Sequence, residues 1–338
     1  MRKVRQAGRR RFFPVLSTRD GDLKLPLAFF LDTVFRAAPG SRLKFFRRLK
    51  PYLSASAAAS FAQVCEINSL AEFESGYARL AVLLGHADKT PPPGEFEFLR
   101  TIVNRPMQYS GTIPASDFFF LTAFVSILAP QRVVEIGTLT GFSAAIIAAA
   151  LSRQPDNQNP KCVDTIDYAP KCLIDETRPT GFEIAEAFPD LASMIRPHIP
   201  HDSTFVRELA RPDELEIVFI DADHQHPRPL LDLLRVAPYV RSGGWIVLHD
   251  IQLGTKAREA NGADPWLRWG AAAGAELVFE SWPFGKISGG NIGAVQLPPE
   301  KSALIPFALR LMSVPYEVKS ERPKTLNSAL HRSFDALV

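Results

Sequence analysis

Residues 132–152 join a short apolar segment to a turn with two glycines and then to a second apolar segment. Residues 132–136 (RVVEI) have the β-branched composition of a buried strand, while residues 142–152 (FSAAIIAAALS) are long enough and apolar enough for a buried helix. Gly137 and Gly141 mark the turn between them. A strand that runs directly into a helix is typical of a parallel sheet, because the helix returns the chain across the sheet.

The same alternation continues to about residue 298. We predict helices at 115–128 and 228–238, and further strands at 162–166, 204–206, 216–220, 245–248, 276–280 and 292–297. No helix is predicted between the last two strands, so they should form an antiparallel hairpin. The sequence therefore predicts an α/β fold with a Rossmann-like, doubly wound sheet of seven mostly parallel strands and an antiparallel last strand.

The regions on either side of this sheet are predicted to be helical. Apolar residues recur at helical spacing in 26–37, 41–53 and 54–85, and a Pro-Pro-Pro-Gly linker ends this region at residue 94. We predict three parts: a basic, helical N-terminal region (1–94), a cofactor-binding domain (95–298) and a C-terminal extension (299–338) of two helices separated near Pro315 and Pro323.

Charge is distributed unevenly along the 338 residues. The first 50 residues carry 14 Lys or Arg and three Asp, a net charge of +11, whereas the whole chain has +3. Such a segment is a solvated tail, an organelle transit peptide or a docking site for nucleic acid or anionic lipid. Three cysteines support neither a disulfide framework nor a zinc site, and the longest apolar stretch, 118–130, is too short to cross a bilayer. We expect a cytoplasmic protein.

Four acidic residues follow or end predicted strands: Glu135, Asp167, Asp221 and Asp250. In an open α/β sheet, ligands bind outside the carboxyl ends of the strands, so these carboxylates should face one crevice. The glycine spacing G-x-x-x-G differs from the G-x-G-x-x-G of dinucleotide-binding folds and counts against NAD or FAD. An acid after the second strand suits a ribose, although Asp167 could instead cap the turn before Pro170.

Three motifs together resemble one known family. They are V-E-I-G-T-L-T-G-F-S (134–143), F-I-D-A-D-H (219–224) and G-G-W-I-V-L-H-D (243–250). They are similar to the class I S-adenosylmethionine-dependent O-methyltransferases related to catechol and caffeoyl-CoA O-methyltransferases. The final N-I-G-A-V-Q-L-P (291–298) looks like the bacterial small-molecule and sugar methyltransferase branch. The resemblance covers about 105–298.

The resemblance implies roles for individual residues. Residues that would hold S-adenosylmethionine are Glu135, Gly137, Thr138, Gly141 and Ser143 around the methionine moiety, Asp167 at the ribose, Asp221, and Thr112 in the segment that closes over the cofactor. Asp221 would also be the first metal ligand. His249 and Asp250 stand where the catechol-type enzymes have an Asp-Asn pair that completes the site for a divalent cation such as Mg²⁺. His224 stands in the place of their catalytic lysine, so the catalytic candidates are His224, Asp221 and His249.

The resulting hypothesis is O-methylation of a hydroxyl on a small-molecule or sugar-bearing metabolite. His224 would serve as the general base, because an unperturbed imidazole titrates near neutral pH. The two histidines depart from the family pattern and leave metal dependence open. The N-terminal helices would form a lid or a homodimer surface. The alternatives are a hydroxylase-like or non-catalytic relative, and a docking module that uses the basic N-terminus.

Overall fold

The computed structural model describes residues 60–105, 112–155, 161–259, 273–312 and 332. The strands are β1 (Gln63–Val64), β2 (Arg132–Ile136), β3 (Cys162–Ile166), β4 (Lys171–Cys172), β5 (Asp175–Pro179), β6 (Ile195–His198), β7 (Leu215–Ile220), β8 (Val240–His249), β9 (Lys286–Ser288) and β10 (Ile292–Gln296). The helices are α1 (Phe73–Leu83), α2 (Glu95–Val103), α3 (Ala115–Leu128), α4 (Phe142–Ser152), α5 (Phe182–Glu186), α6 (Val206–Leu209), α7 (Arg228–Val236), α8 (Leu253–Glu259), α9 (Gly274–Ser281) and α10 (Leu304–Met312).

One mixed sheet organises these elements. Its strand order is β1-β9-β10-β8-β7-β2-β3-β6, while β4 and β5 form a separate two-stranded hairpin. Strand β10 runs antiparallel to both of its neighbours, and the remaining pairs in the large sheet are parallel. The predicted Rossmann-like α/β class is therefore confirmed, with β1 as an additional short edge strand.

Helices cover both faces of the sheet, and the alternation of side chains along a strand explains why. In β2, Val134 and Ile136 enter the hydrophobic cluster that contains α7, α9 and α10. Val133, which precedes Val134 and faces the other side of the sheet, enters a second cluster that contains α1, α3 and α4. Because both faces are buried, the central strands carry apolar residues on both faces, as expected for a doubly covered parallel sheet.

Two predicted strands are wrong. Residues 276–280 lie in helix α9, because Ala275, Val278, Phe279 and Trp282 repeat at helical spacing and are buried. The hairpin forms instead between β9 and β10.

Residues 204–206 lie in a 3₁₀ turn and the start of α6, where the Asp202 side chain accepts a hydrogen bond from the Thr204 amide at 3.0 Å. The strand that follows β2 and β3 at this end of the large sheet is β6, which contains Pro197. Proline is tolerated there because β6 is an edge strand.

The described part of the N-terminal region packs with the rest of the chain. Phe73, Tyr77 and Leu80 of α1 are buried in the same cluster as α3 and α4. Strand β1 interrupts the region predicted to be helical and extends the sheet beside β9. The predicted helices at 26–37 and 41–53, the basic segment 1–50 and the helix beyond Pro315 lie outside the described residues, apart from residue 332. Among the described helices, none has the length and apolarity needed to cross a membrane.

Candidate functional site

The topology places a crevice between β2 and β7. From β2 the chain moves outward to β3 and β6, and it then returns to β7 on the other side of β2. The carboxyl ends of β2 and β7 therefore point to the place where the strand order reverses, which is where open α/β sheets bind their ligands. Residues 137–141, Asp167 and residues 221–224 all follow strands that end at this edge.

Gly137 allows the turn after β2 to lie directly against the end of β7. Its φ is +103°, and a Cβ built on it would lie 2.0 Å from the carbonyl oxygen of Asp221. Gly141 has φ +91°, and a Cβ there would lie 2.5 Å from Ile184. Only glycine satisfies both the conformation and the spacing at these two positions. The turn thus has little side-chain bulk where α4 begins.

The Asp167 carboxylate holds the same turn. Its Oδ2 accepts hydrogen bonds from the backbone amides of Thr138 at 2.9 Å and Leu139 at 3.1 Å. Its Oδ1 accepts one from the amide of Ala169 at 2.8 Å. Each carboxylate oxygen can accept further hydrogen bonds, so a role as ribose acceptor is compatible with this arrangement. The structure adds a task that the sequence did not indicate, namely ordering the turn after β2.

Glu135 lies beneath the turn and is fully buried. Its Oε2 accepts a hydrogen bond from the Thr165 hydroxyl at 2.5 Å, and the Thr165 hydroxyl lies 2.6 Å from that of Thr138. Burial raises the pKa of Glu135 to about 8, although the hydroxyls of Ser143 and Thr165 oppose the rise. At neutral pH this side chain is therefore largely a neutral acid, and a cationic group placed beside it would draw the proton off.

Replacing Glu135 by glutamine should alter the pH dependence of stability. The folded-state pKa of about 8 lies above the ordinary value of 4.5 for a glutamate, so protonation favours the folded state, and this contribution is lost as pH rises through 8. Relative to Glu135→Gln, the wild type should lose free energy of unfolding between about pH 4.5 and pH 8 and change little above that range. Urea denaturation of both proteins at several pH values measures the difference, and a constant difference would contradict the buried neutral acid.

His249 lies between two carboxylates. Its Nδ1 is 3.0 Å from Oδ1 of Asp221, and its Nε2 is 3.0 Å from Oδ2 of Asp117 in the first turn of α3. Asp117 is fully buried, and the His249 side chain is 8% exposed. Burial by itself lowers the pKa of His249, but the charge of Asp221 and the hydrogen bonds to both carboxylates raise it well above 6.5. For Asp221 the effects have the opposite sign. Burial raises the pKa of this carboxyl, but the charge of His249 lowers that pKa below its ordinary value.

His224 forms a second pair with Asp250. The His224 Nδ1 lies 3.1 Å from the Asp250 Oδ2, and the His224 side chain is 22% exposed. The other oxygen of Asp250 accepts a hydrogen bond from the side-chain amide of Asn291 at 2.6 Å. Asp250 itself has φ +60° directly after β8. His224 is therefore oriented on one side by Asp250 and open enough for a ligand to approach.

Three side chains come together as a candidate metal group, and they differ from the predicted set. Among the described residues, ligand atoms of Asp221, His224 and Asp250 lie within 4.8 Å of one another. His249, predicted as a ligand, instead directs both ring nitrogens at carboxylates. The group thus contains two carboxylates and one imidazole, which does not fit the all-oxygen ligand set that Mg²⁺ prefers.

The structure brings most of the predicted residues to one edge. Ser143 lies in the first turn of α4, close enough to Glu135 to influence its pKa. Thr112 is half-buried and lies three residues before the start of α3. Sequence reasoning missed Asp117, Thr165 and Asn291. Asp117 lies in the mainly apolar helix α3 and Thr165 lies in strand β3, and neither belongs to a recognisable motif. Only Asn291 could have been found from the sequence, because it begins the N-I-G-A motif at 291–294.

Comparison with known protein families identifies the central part of the chain. Residues 134–251 match a family model described as a methyltransferase domain. This range begins in β2 and ends just after Asp250, so it includes the turn, Asp167 and both histidine pairs. These residues make up about a third of the chain, and they are similar to a methyltransferase domain. No curated protein is similar enough to the chain to count as a match.

Solved structures offer only distant similarity. An O-methyltransferase from Bacillus cereus in complex with SAH is 18% identical with a TM-score of 0.39, covering 68% of this chain and 100% of that one. The O-methyltransferase TomG from Streptomyces achromogenes, in complex with SAM, is 17% identical with a TM-score of 0.39 (68% and 100% covered). The SAH-bound methyltransferase PaMTH1 from Podospora anserina is 13% identical with a TM-score of 0.43 (66% and 96% covered). At these values the likeness decides nothing about the chemistry of the methyltransferase domain.

Proposed function

We propose that the protein methylates a hydroxyl group of a small-molecule or sugar-bearing metabolite. The observation that carries this proposal is the pair formed by His224 and Asp250 at the sheet edge of the methyltransferase domain. A hydroxyl must lose its proton to become an effective nucleophile, and a partly exposed imidazole 3.1 Å from a carboxylate is suited to remove it.

The residues around the turn after β2 fit the cofactor. Gly137 and Gly141 leave space for close approach to the backbone, and Asp167 presents a half-buried carboxylate beside the turn. Glu135 is buried with Oε1 lacking a hydrogen-bond partner among the described residues, and it lies where the resemblance places the methionine moiety. When bound, S-adenosylmethionine supplies the electrophilic methyl group. Ser143, Thr138 and Thr112 complete the proposed binding set.

The orientation of His224 determines how it handles the proton. Because the Asp250 carboxylate lies beside Nδ1, we assign to Nε2 the role of accepting the proton of the acceptor hydroxyl. Asp250 then stabilises the imidazolium that forms. Asn291 holds the Asp250 carboxylate in place from the opposite side. Methyl transfer further requires alignment of the reacting atoms, which can contribute roughly 7–11 kcal/mol.

A calorimetric titration of S-adenosylhomocysteine into the full chain, with EDTA present, tests the cofactor assignment. We expect saturable binding at one site, reduced by Asp167→Ala because the turn after β2 loses its two amide hydrogen bonds to this carboxylate. The exposed Asp190→Ala is the matched control and should bind normally. Absence of binding by protein that is folded according to circular dichroism would refute the proposal.

The proposal includes the setting of the enzyme. We place it in the cytoplasm as a homodimer, in line with the resemblance and with three cysteines that are all free and buried. Analytical ultracentrifugation of the full chain tests the dimer, and a single species with the mass of one chain would refute it.

A further inference from the structure

We propose that Glu95 makes the docking of α2 against α3 depend on pH. The helix is held most firmly while this carboxyl is protonated, and it loosens when the carboxyl ionises. Glu95 lies outside residues 134–251 and takes no part in the proposed reaction, so this role is independent of the proposed function.

The Glu95 carboxyl lies between helices with only half of its oxygens hydrogen-bonded. Glu95 is the first residue of α2 and is fully buried. Its Oε1 accepts a hydrogen bond from the hydroxyl of Ser126 on α3, whereas its Oε2 has no partner among the described residues. The hydroxyl of Thr122, one turn earlier on α3, is likewise buried without a partner in the described part of the chain. Ionisation in this position is costly, because a buried charge needs hydrogen bonds that the site does not supply.

The charged and titratable groups around Glu95 offset only part of this cost. Arg153, at the end of α4, acts on Glu95 through its charge. Its guanidinium, however, donates to two backbone carbonyl oxygens, at 3.2 Å and 2.6 Å, and lies over the ring of Phe98. From α1 comes the buried phenol of Tyr77, whose own pKa is raised by burial and by the charge of Glu95. The 3₁₀ turn before α1 also packs against α2, and it contributes the exposed Glu72, a second acid.

The direction of the pH effect follows from these surroundings. Burial raises the pKa of Glu95 to about 7, although the Ser126 hydroxyl and the charge of Arg153 oppose the rise. When α2 leaves α3, water solvates the carboxyl, and the pKa returns toward the ordinary value of 4.5. Protonation therefore favours the docked helix. Docking is strongest below pH 4.5, weakens by up to about tenfold per pH unit, and levels off above pH 7.

Helix α3 connects this contact to the candidate site. Leu99 and Ile102 of α2 are buried in the same hydrophobic cluster as α3, so loosening of α2 withdraws apolar contacts from that helix. The first turn of α3 carries Asp117, whose Oδ2 lies 3.0 Å from Nε2 of His249. A change of pH near neutrality thereby alters the packing behind the helix that reaches the candidate site.

Hydrogen exchange of the full chain between pH 5 and pH 8, corrected for the intrinsic pH dependence of amide exchange, tests this role. In the wild type, the opening constant of the α2 amides should rise at least about tenfold between pH 5 and pH 7.5. Glu95→Gln cannot ionise and should show almost no rise. Glu97→Gln changes an exposed acid of the same helix and should behave as the wild type does. An α2 that only follows the global change seen in α10, or equal pH dependence in Glu95→Gln, would overturn the proposal.

A second variant keeps the acid and changes its partner. Ser126→Ala removes the hydroxyl that stabilises the ionised form of Glu95, which raises the pKa of this carboxyl further. Helix α2 should then continue to lose protection above pH 7, where the wild type has levelled off. Circular dichroism establishes that the variant is folded. Loss of the pH dependence in Ser126→Ala, or a plateau at the same pH as in the wild type, would contradict the role of Glu95.

Discussion

Replacing His224 by glutamine is expected to lower kcat by about 10²- to 10⁴-fold, the usual contribution of a general base. The affinity for S-adenosylhomocysteine should not change, because His224 pairs with Asp250 and neither residue belongs to the proposed cofactor-binding set. Single-turnover methyl transfer, with the acceptor found by screening hydroxylated metabolites, measures the first quantity, and calorimetry measures the second.

Two further variants make this result specific. Asp250→Asn keeps the size of the side chain but weakens the interaction that orients His224, so its rate should fall between those of the wild type and His224→Gln. His86→Gln changes a half-buried histidine in the turn after α1 and should have no effect on the rate. Full turnover by His224→Gln would remove this residue from the mechanism and favour an acceptor that ionises without a base.

Replacing Gly137 by alanine is expected to cost at least about 4 kcal/mol of unfolding free energy, at the exceptional end for a single substitution. The new Cβ would lie 2.0 Å from the carbonyl oxygen of Asp221, and its φ of +103° is strained for any L side chain. Backbone atoms cannot rotate away, so the ends of β2 and β7 would have to separate. Urea denaturation measures the cost, and calorimetry should show that cofactor binding is lost as well.

Gly85→Ala separates the two causes. Gly85 has φ +78°, but nothing lies within 4 Å of a Cβ built on it. Its replacement should cost only the conformational penalty of about 1–2 kcal/mol and leave cofactor binding intact. Equal destabilisation by the two variants would mean that the close approach of Gly137 to Asp221 contributes nothing, which would undermine the account of the crevice.

Local pattern was sufficient for much of the fold. The bounds of β2, β3, α3 and α4 agree with the predicted segments, because each is a mainly apolar segment closed by glycine, proline or polar residues. The pattern failed at 276–280 (ELVFE), where three apolar residues between two glutamates fit a strand and a helix equally well. The buried neighbours of α9, above all those on α7 and α10, decide in favour of the helix.

The residues of the candidate site also fall into those that the sequence could predict and those that only the packing reveals. Glu135, Asp167, Asp221, His224 and Asp250 could be predicted because strand ends in a parallel sheet meet at one edge, so their position in the sequence already implies their position in space. The partners of His249 could not. Asp117 lies on α3 far from β8 along the chain, and only the packing of that helix brings its carboxylate to the ring.

What the sequence alone determined is therefore the fold class and the edge of the sheet where the candidate site lies, since both follow from short-range periodicity and motif spacing. What the tertiary structure decided is which groups surround each side chain of the candidate site. Whether His249 binds a metal or carries a proton depends on which groups surround it, and desolvation together with neighbouring charge is a property of the folded protein alone.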